Sequence, residues 1–190
     1  GLKNDLRNKN INDVSITISG SDFELGALTK SSNGSTGIYS APISFKTTPD
    51  YETKATYTAT LTASDGTNST TQNITVNVTN VNEAPLFTSS ATFSAAENQT
   101  AIDTVTATDV DGDSVTFTVS DSQLEITSAG VLTFKTAPDY ETKSTYTATV
   151  TASDETNTTT QDITVNVTDD NDNRPVITSP NTFVVDENQL

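Results

Sequence analysis

The sequence predicts an all-β protein built from tandem copies of one small β-sandwich. Residues 50–80 and 139–169 agree at 25 of 31 positions when one is shifted by 89 residues, which identifies an internal repeat. Apolar residues alternate with threonines along short segments, as in half-buried antiparallel strands. About seven such segments, joined by polar turns, fall in each stretch of roughly 90 residues. No helical periodicity interrupts them.

From the strand of Val115 onward, the predicted strands of repeat 2 recur in the same order in repeat 1. In repeat 2 they are marked by Phe87 with Phe93, Val105 with Ala107, Val115 with Phe117 and Val119, Leu132 with Phe134, Tyr146 with Ala148, Val150 and Ala152, and Ile163 with Val165 and Val167. Threonine suits the outer face of such strands because its branched Cβ fits the pleat and its hydroxyl stays hydrated. Residues 27–38 have no counterpart in repeat 2, and their Gly, Ser and Asn content predicts an exposed loop.

We expect five segments along the chain: repeat 1 at 1–79, a linker at 80–85, repeat 2 at 86–168, a second linker at 169–175, and the start of a third repeat at 176–190. Too few residues precede Val14 to supply repeat 1 with a first strand. The tail resembles the opening of repeat 2 and is a candidate first strand. The tail of one molecule could therefore complete repeat 1 of another. An arbitrary fragment boundary is the simpler alternative.

Composition excludes several function classes. The chain contains no Cys, His, Met or Trp, so a thiol nucleophile, the usual general base and the usual transition-metal ligands are missing. A net charge of −16 argues against binding nucleic acid or an anionic membrane. No apolar run approaches the ~18 residues of a membrane-spanning helix. Paired carboxylates can catalyse glycoside hydrolysis, but here they recur in every repeat, and a bound metal explains that recurrence better. We therefore predict no enzyme.

Acidic residues gather where the predicted strands end. The clusters are Asp50 with Glu52, Glu97, Asp109 with Asp111 and Asp113, Asp139 with Glu141, Asp154, and the run 169–173, DDNDN. Any single one is most simply solvated surface charge, but dense clusters repel one another unless a cation neutralises them. Their ligands are all oxygen, which selects a hard ion such as calcium. DVDGDS is not an EF-hand loop, because Ser120 stands at position twelve and no helices flank it.

Taken together, these motifs resemble the cadherin repeats. The resemblance covers essentially the whole chain: Glu97 in AEN, the D-x-D loop at Asp109, the D-x-E motif at Asp139, the A-x-D motif ending at Asp154, and residues 169–175, which fit a D-x-N-D-N-x-P linker. It implies Greek-key, immunoglobulin-like sandwiches arranged end to end, with calcium at each junction. The threonine-rich copies are most similar to bacterial cadherin-like repeats of calcium-dependent surface adhesins.

The resemblance also implies two sets of ligands. At the first junction they are Asp50, Glu52, Asn82, Glu83, Asp109, Asp111 and Asp154, with Asp113 as an additional candidate. At the second they are Glu97, Asp139, Glu141, Asn171 and Asp172, with the backbone oxygens of Asp170 and Asn173. The first linker is one residue shorter than the pattern, with Asn80 and Glu83 in place of its two Asp residues, which predicts fewer or weaker ions. At the start of repeat 1, Asn8, Asn10 and Asn12 replace the Asp residues of the loop, so we expect no ion there.

These expectations define a calcium-binding extender and adhesion module of a large extracellular or cell-surface protein. Its expected partners are neighbouring repeats of the same polypeptide, another copy of itself, or a cell-surface polysaccharide. The alternative is a carbohydrate-binding module with structural calcium. That function would favour exposed aromatic residues, yet the chain has no Trp, and most of its Tyr and Phe occupy predicted core positions. Tyr39, Tyr51 and Tyr140 are the exceptions.

Overall fold

A computed structural model describes residues 13–33, 36–182 and 184–187 of the 190-residue chain. The chain divides into two compact units, unit 1 at Gly1–Glu83 and unit 2 at Ala84–Leu190. Apart from Asp13, which lies in a 3-10 turn, the regular secondary structure of the described residues consists of strands. In unit 1 the strands are β1 Ser15–Ile18, β2 Phe23–Leu25, β3 Thr29–Asn33, β4 Thr36–Ser40, β5 Ile43–Phe45, β6 Thr56–Ser64 and β7 Ser69–Asn77. In unit 2 they are β8 Leu86–Phe87, β9 Thr92–Ala96, β10 Ala101–Thr104, β11 Ala107–Thr108, β12 Thr116–Val119, β13 Leu124–Ile126, β14 Val131–Phe134, β15 Thr145–Ser153 and β16 Thr158–Thr168.

Unit 2 is a β-sandwich whose core is shared by all of its main strands. One sheet has the order β12-β15-β16-β9, a second has β10-β14-β13, and β8 pairs with β11. The pairs are antiparallel except for β9, which lies parallel to β16 with Thr92 opposite Thr164. Side chains from both main sheets meet in one cluster, in which Leu132, Val150 and Val165 are fully buried. This interior of branched and aromatic side chains supplies most of the favourable folding free energy.

The predicted alternation in β15 is confirmed. Tyr146, Val150 and Ala152 are buried, whereas Thr145 and Thr147 on the opposite face are exposed. The opposite face stays hydrated through threonine hydroxyls, one of which donates from Thr149 Oγ1 to Asp162 Oδ1 across the strand pair at 2.7 Å. The all-β prediction, with an immunoglobulin-like sandwich as its unit, is therefore correct.

The single first strand predicted for repeat 2 is wrong in detail. Phe87 lies in β8, which pairs with β11, while Phe93 lies in β9, which pairs with β16 in another sheet. The chain changes sheets between them, where the N–H groups of Thr88 and Ser89 both donate to Thr106 O. At this crossing, serine hydroxyls accept backbone N–H groups that no strand partner accepts. Because Ser and Thr also occur within strands, the alternation of apolar and polar residues cannot distinguish such a crossing from a continuous strand.

The second predicted strand is also divided. Val105, which is fully buried, lies between β10 and β11, and the pairing of β10 with β14 shifts register between Ala101 and Asp103. The Val105 N–H donates to Gly130 O at 2.8 Å. Gly130 has φ +89°, and a Cβ there would lie 2.1 Å from Val105 O. This close backbone approach requires glycine.

In unit 1, β6 pairs with β7 in the same register as β15 with β16 in unit 2, but the buried core is smaller. Its described strands form the orders β1-β6-β7, β2-β5 and β3-β4. Phe23, Tyr57 and Ala59 are buried together, and the rings of Phe23 and Tyr57 pack on Phe45, at 4.9 Å between centroids in each case. The aromatic cluster thus stabilises the contact of β2 and β5 with β6.

The insertion in repeat 1 is not a loop, contrary to the prediction. Its residues form a hairpin in which β3 and β4 pair antiparallel, with Thr29 opposite Ser40 and Ser31 opposite Ile38. The dipeptide Asn33-Gly34 is a strong hairpin signal that the Gly, Ser and Asn content obscures. The residues that join the two strands, 34–35, lie outside the described part, as do Asn8, Asn10 and Asn12.

Candidate metal-binding sites

Three aspartates of one loop lie together in unit 2. Carboxylate oxygens of Asp109, Asp111 and Asp113 are all within 4.8 Å of one another. We call this group the loop cluster. Asp109 Oδ1 accepts the N–H groups of Asp111 at 3.0 Å and Asp113 at 3.3 Å, so the loop folds around this side chain. Gly112, with φ +83°, permits the turn.

The second oxygen of Asp109 is the most informative atom of the loop cluster. Asp109 Oδ2 is buried and accepts no hydrogen bond. Leaving a buried acceptor without a partner costs about 1–3 kcal/mol, and more when the group is charged. A cation held between the three carboxylates would satisfy this oxygen and neutralise the repulsion. The donor set is oxygen alone, which fits calcium.

A second group of acidic side chains joins three separate segments of unit 2. Oxygens of Glu97, Glu141 and Asp169 lie within 4.8 Å of one another. We call this group the Glu97 cluster. Glu97 follows β9 and is only 4% exposed. Its Oε2 accepts the Tyr140 N–H at 2.9 Å, and its Oε1 accepts the Asp170 N–H at 2.7 Å. Glu97 therefore fixes the end of β9, the 139–142 turn and the segment after β16 against one another.

The D-x-E turns are held by their first aspartate. Asp139 Oδ2 accepts the Thr142 hydroxyl at 2.7 Å, and its Oδ1 accepts the Glu141 N–H at 3.1 Å. The Thr142 hydroxyl bond is the main cause of the lowered pKa of Asp139, because it stabilises the carboxylate. Asp50 forms the same turn in unit 1, where bonds from Thr53, led by its hydroxyl, lower the pKa of Asp50. Both aspartates thus position the glutamate that follows two residues later.

Unit 1 places its predicted ligands around one cleft. The cleft has a volume of about 180 Å³ and is lined by Pro49, Asp50, Tyr51, Glu52, Val78, Thr79, Val81 and Glu83. Asp50, Glu52 and Glu83 are three of the predicted ligands. A fourth, Asn82, donates from Nδ2 to Glu83 O at 3.1 Å, which orders the segment that carries both.

Asp154, a predicted ligand, closes a turn of its own. It is 6% exposed, and its Oδ1 accepts the N–H groups of Thr156 at 2.7 Å and Asn157 at 2.6 Å. Asp65 closes the equivalent turn of unit 1 in the same way, through the N–H groups of Thr67 and Asn68. Asp154 lies outside both clusters and is seen as a turn-closing residue.

The second linker contributes one residue that sequence reasoning missed. Asp169 was left out of the ligand set, yet it belongs to the Glu97 cluster and also accepts the Asn171 N–H at 2.8 Å. Among the predicted linker ligands, Asp172 accepts a hydrogen bond from Asn98 Nδ2 at 2.8 Å, and Asn173 is exposed. The signal for Asp169 was its place directly after β16, the strand that lies parallel to β9 and ends beside Glu97.

The fold and these sites define a class: cadherin-like repeats with an immunoglobulin-like fold. Comparison with known proteins supports this assignment. Residues 82–168, the second repeat, match the Bacterial Ig domain family. No curated protein matches the chain in sequence.

Several similar solved structures are cadherin extracellular regions. The cis-dimer structure of protocadherin gammaB7 domains 3–6 is 26% identical, with a TM-score of 0.60, and the match covers 90% of this chain and 46% of that one. The protocadherin gammaB4 extracellular domain is 27% identical, with a TM-score of 0.55 over 87% of this chain and 28% of that one. Protocadherin gammaB7 domains 1–4, at 23% identity and a TM-score of 0.62 over 90% of this chain and 46% of that one, share the fold. The chain spans less than half the length of these structures.

Proposed function

We propose that the chain is a calcium-stiffened extender and adhesion module of a large extracellular protein. The observation that carries this proposal is the buried Asp109 Oδ2, which accepts no hydrogen bond inside a cluster of three carboxylates. The Glu97 cluster is the second candidate site. The matching Bacterial Ig domain family and the cadherin neighbours support an extracellular setting and a surface adhesin as the parent protein.

Charge explains why calcium would change the mechanics of the module. Two carboxylates no more than 4.8 Å apart repel each other by at least about 0.9 kcal/mol in water and at least about 3.5 kcal/mol at an effective dielectric constant near 20. Calcium replaces this repulsion with attraction, and it takes six to eight oxygen ligands in flexible geometry. Because the Glu97 cluster joins the end of β9 to the start of the 169–175 linker, an ion there would stiffen the exit from unit 2.

We assign the remaining predicted ligands to calcium binding at the two linkers. Asp50, Glu52 and Glu83, which line the unit 1 cleft, and the adjacent Asn82 would serve the first linker. Asp139 would act by positioning Glu141, and the predicted linker oxygens at 170–173 would complete the coordination at the second linker. No helix in the described part of the chain is long and apolar enough to span a membrane. The comparisons add no support for a polysaccharide ligand.

Small-angle X-ray scattering with and without calcium tests the stiffening directly. We expect calcium to narrow the distribution of interatomic distances, and magnesium at the same concentration to do so much less. Isothermal titration calorimetry on the same samples gives the number of ions bound.

The matched control is Asp121→Asn. Asp121 is half-buried, and its Oδ1 accepts the Gln123 N–H, so it resembles Asp109 in burial and in capping but lies in neither cluster. The control should respond to calcium like the wild type, whereas Asp109→Asn should lose part of the response. Identical scattering with calcium and with chelator would contradict the proposal.

A further inference from the structure

The chain contains seven Asn-x-Ser/Thr triplets, the acceptor motif of N-glycosylation. Their asparagines are Asn33, Asn68, Asn73, Asn77, Asn98, Asn157 and Asn166. A sequence this rich in threonine contains the triplet often, so the motif alone identifies no site. The acceptor amide must also be presented where a transferase can reach it, which favours surface turns over paired strands.

Four of the triplets begin in strands or in a tertiary contact. Asn73 and Asn77 lie in β7, and their side-chain oxygens accept hydroxyl groups from threonines of β6. Asn166 lies in β16, which pairs with a strand on each side. The amide of Asn98 donates to Asp172 Oδ2 at 2.8 Å. Modification of these asparagines would compete with hydrogen bonds of the fold.

Two equivalent turns contain the remaining triplets whose side chains are described. Asn68 lies between β6 and β7, and Asn157 lies between β15 and β16. In each turn an aspartate Oδ1 accepts the asparagine N–H, at 2.7 Å from Asn68 to Asp65 and at 2.6 Å from Asn157 to Asp154. The N–H of the same aspartate donates to the asparagine O, at 3.1 and 3.2 Å. These bonds engage the backbone of each asparagine rather than its side-chain amide, and they give the two turns the same conformation.

The two turns differ in their second residue. Gly66 of unit 1 has φ +86°, and Glu155 takes the same place in unit 2 with φ +80°. This left-handed conformation suits glycine and costs stability for glutamate, so the turn itself gives no reason for Glu155. Residues strained in this way concentrate at functional sites. Glu155 is exposed and lies two residues before Asn157.

We propose that Asn157 is an N-glycan acceptor and that Glu155 recruits the transferase. The transferase class that fits is a bacterial oligosaccharyltransferase, which recognises a carboxylate two residues before the asparagine as well as the hydroxyl two residues after it. Thr159 supplies that hydroxyl. Among the seven triplets only the one at Asn157 has an acidic residue in the earlier position. An arginine of the transferase would pair with the Glu155 carboxylate in bidentate geometry.

The reaction is a glycosyl transfer from a lipid-linked diphosphate donor. The bond between the anomeric carbon of the glycan and the diphosphate oxygen breaks, and the same carbon forms a bond with Asn157 Nδ2. The amide loses one proton to a base of the transferase, and the lipid diphosphate leaves with the electron pair of the broken bond. The product has a bulky, hydrated group at the β15–β16 turn. The proposal rests on the extracellular setting proposed above, and the transfer itself requires no calcium.

Glycosylation of the folded chain in vitro tests the proposal. The purified 190-residue chain is incubated with a purified bacterial oligosaccharyltransferase and its lipid-linked oligosaccharide, and peptide mass spectrometry identifies the modified asparagines. One glycan is expected at Asn157 and none at Asn68, although Asn68 is exposed and Asn157 is only partly exposed. No glycan at Asn157, or equal modification of the two asparagines, would overturn the proposal.

The duplicated turn provides matched variants. Glu155→Gln keeps the size of the side chain and removes its charge, so the glycan at Asn157 should be lost, whereas Glu155→Asp should keep it. Gly66→Glu transfers the acid to unit 1, where a Cβ meets no atom within 4 Å, and should add a second glycan at Asn68. A glycan retained in Glu155→Gln would contradict the role of the carboxylate.

Circular dichroism before the incubation confirms that each variant is folded. Should Gly66→Glu unfold, the comparison of Glu155→Gln with Glu155→Asp decides the question alone. The scattering response to calcium is measured on the unmodified chain, so a failure of the glycan proposal and a failure of the calcium proposal are distinguishable.

Discussion

Replacing Asp109 with Asn should have opposite effects on stability with and without calcium. The substitution keeps Oδ1, which accepts the N–H groups of Asp111 and Asp113, and so preserves the fold of the loop. It removes the charge on the buried Oδ2 and puts an amide N–H₂ group there, with carboxylates of the loop cluster nearby as acceptors. The change therefore removes repulsion when calcium is absent and a ligand when calcium is present.

The expected magnitudes follow from the geometry. Removing the charge of Asp109 eliminates two repulsive pairs, each worth about 1 kcal/mol for partly exposed groups at this distance. For a domain of this size, 1 kcal/mol corresponds to about 4–8 °C in Tm, so the removal of both pairs should raise the Tm of the variant by about 8–16 °C in chelator. With calcium at 100 times its Kd, the wild type gains about 2.7 kcal/mol. Each tenfold loss of affinity in the variant reduces that gain by about 1.4 kcal/mol, so an affinity loss of about fiftyfold or more outweighs the removed repulsion and makes the variant the less stable protein in calcium.

Differential scanning calorimetry of the wild type, Asp109→Asn and Asp121→Asn provides the test. The difference in Tm between Asp109→Asn and the wild type should be positive in chelator and negative in excess calcium. Asp121→Asn should show the same shift under both conditions. A difference of one sign throughout, or the same reversal in Asp121→Asn, would refute the argument that the loop cluster is held together by an ion.

Three further predictions concern other parts of unit 2. Glu97→Gln weakens one of two charge-assisted hydrogen bonds, each worth about 1.5–3 kcal/mol, and replaces the other with a repulsive N–H contact. This loss outweighs the relief of about 1 kcal/mol of repulsion from each of the exposed Glu141 and Asp169, so the free energy of unfolding in chelator, measured by urea denaturation, should fall. Gly130→Ala should be more destabilising than Gly112→Ala in chelator: both have positive φ, at a cost of about 1–2 kcal/mol, but only the first adds a clash with Val105 O. The lowered pKa of Asp139 stabilises the fold above its unfolded pKa of about 3.9, and this contribution disappears as the pH falls through the lower folded pKa. Asp139→Asn should therefore flatten the acid limb of a plot of Tm against pH, and parallel limbs would contradict this cause.

Periodicity predicted the strands because burial of one face is a local property of the sequence. The alternation of Tyr146, Ala148 and Val150 with threonine is sufficient to specify β15, and the same is true of β6 in the other copy. The change of sheet between Phe87 and Phe93 was not predictable in this way. It depends on which strand lies beside each half of the segment, β11 or β16, and alternation contains no information on pairing partners.

The acidic motifs likewise predicted only part of the candidate metal-binding sites. Spacing located the Asp109 loop and the turn at Asp139, since each motif folds locally around its first aspartate. The same reasoning did not indicate that Asp154 Oδ1 closes its own turn, and it omitted Asp169 from the Glu97 cluster. Whether a carboxylate caps a turn or joins a cluster depends on segments distant in sequence, here β9 and the end of β16, and no local pattern encodes their proximity.

The duplication provides an internal control for these arguments. β7 and β16 have almost the same sequence, and both pair with an equivalent strand in the same register. Val76 nevertheless remains partly exposed where Val165 is fully buried. The alternation of apolar and polar residues thus determines that a strand forms. The strand that pairs with its outer edge determines how much apolar surface it buries, and hence how much free energy it contributes. Glu97 shows the same dependence, because it follows the one strand, β9, that has no described counterpart beside β7. The first strand of a repeat therefore completes both its core and its acidic cluster.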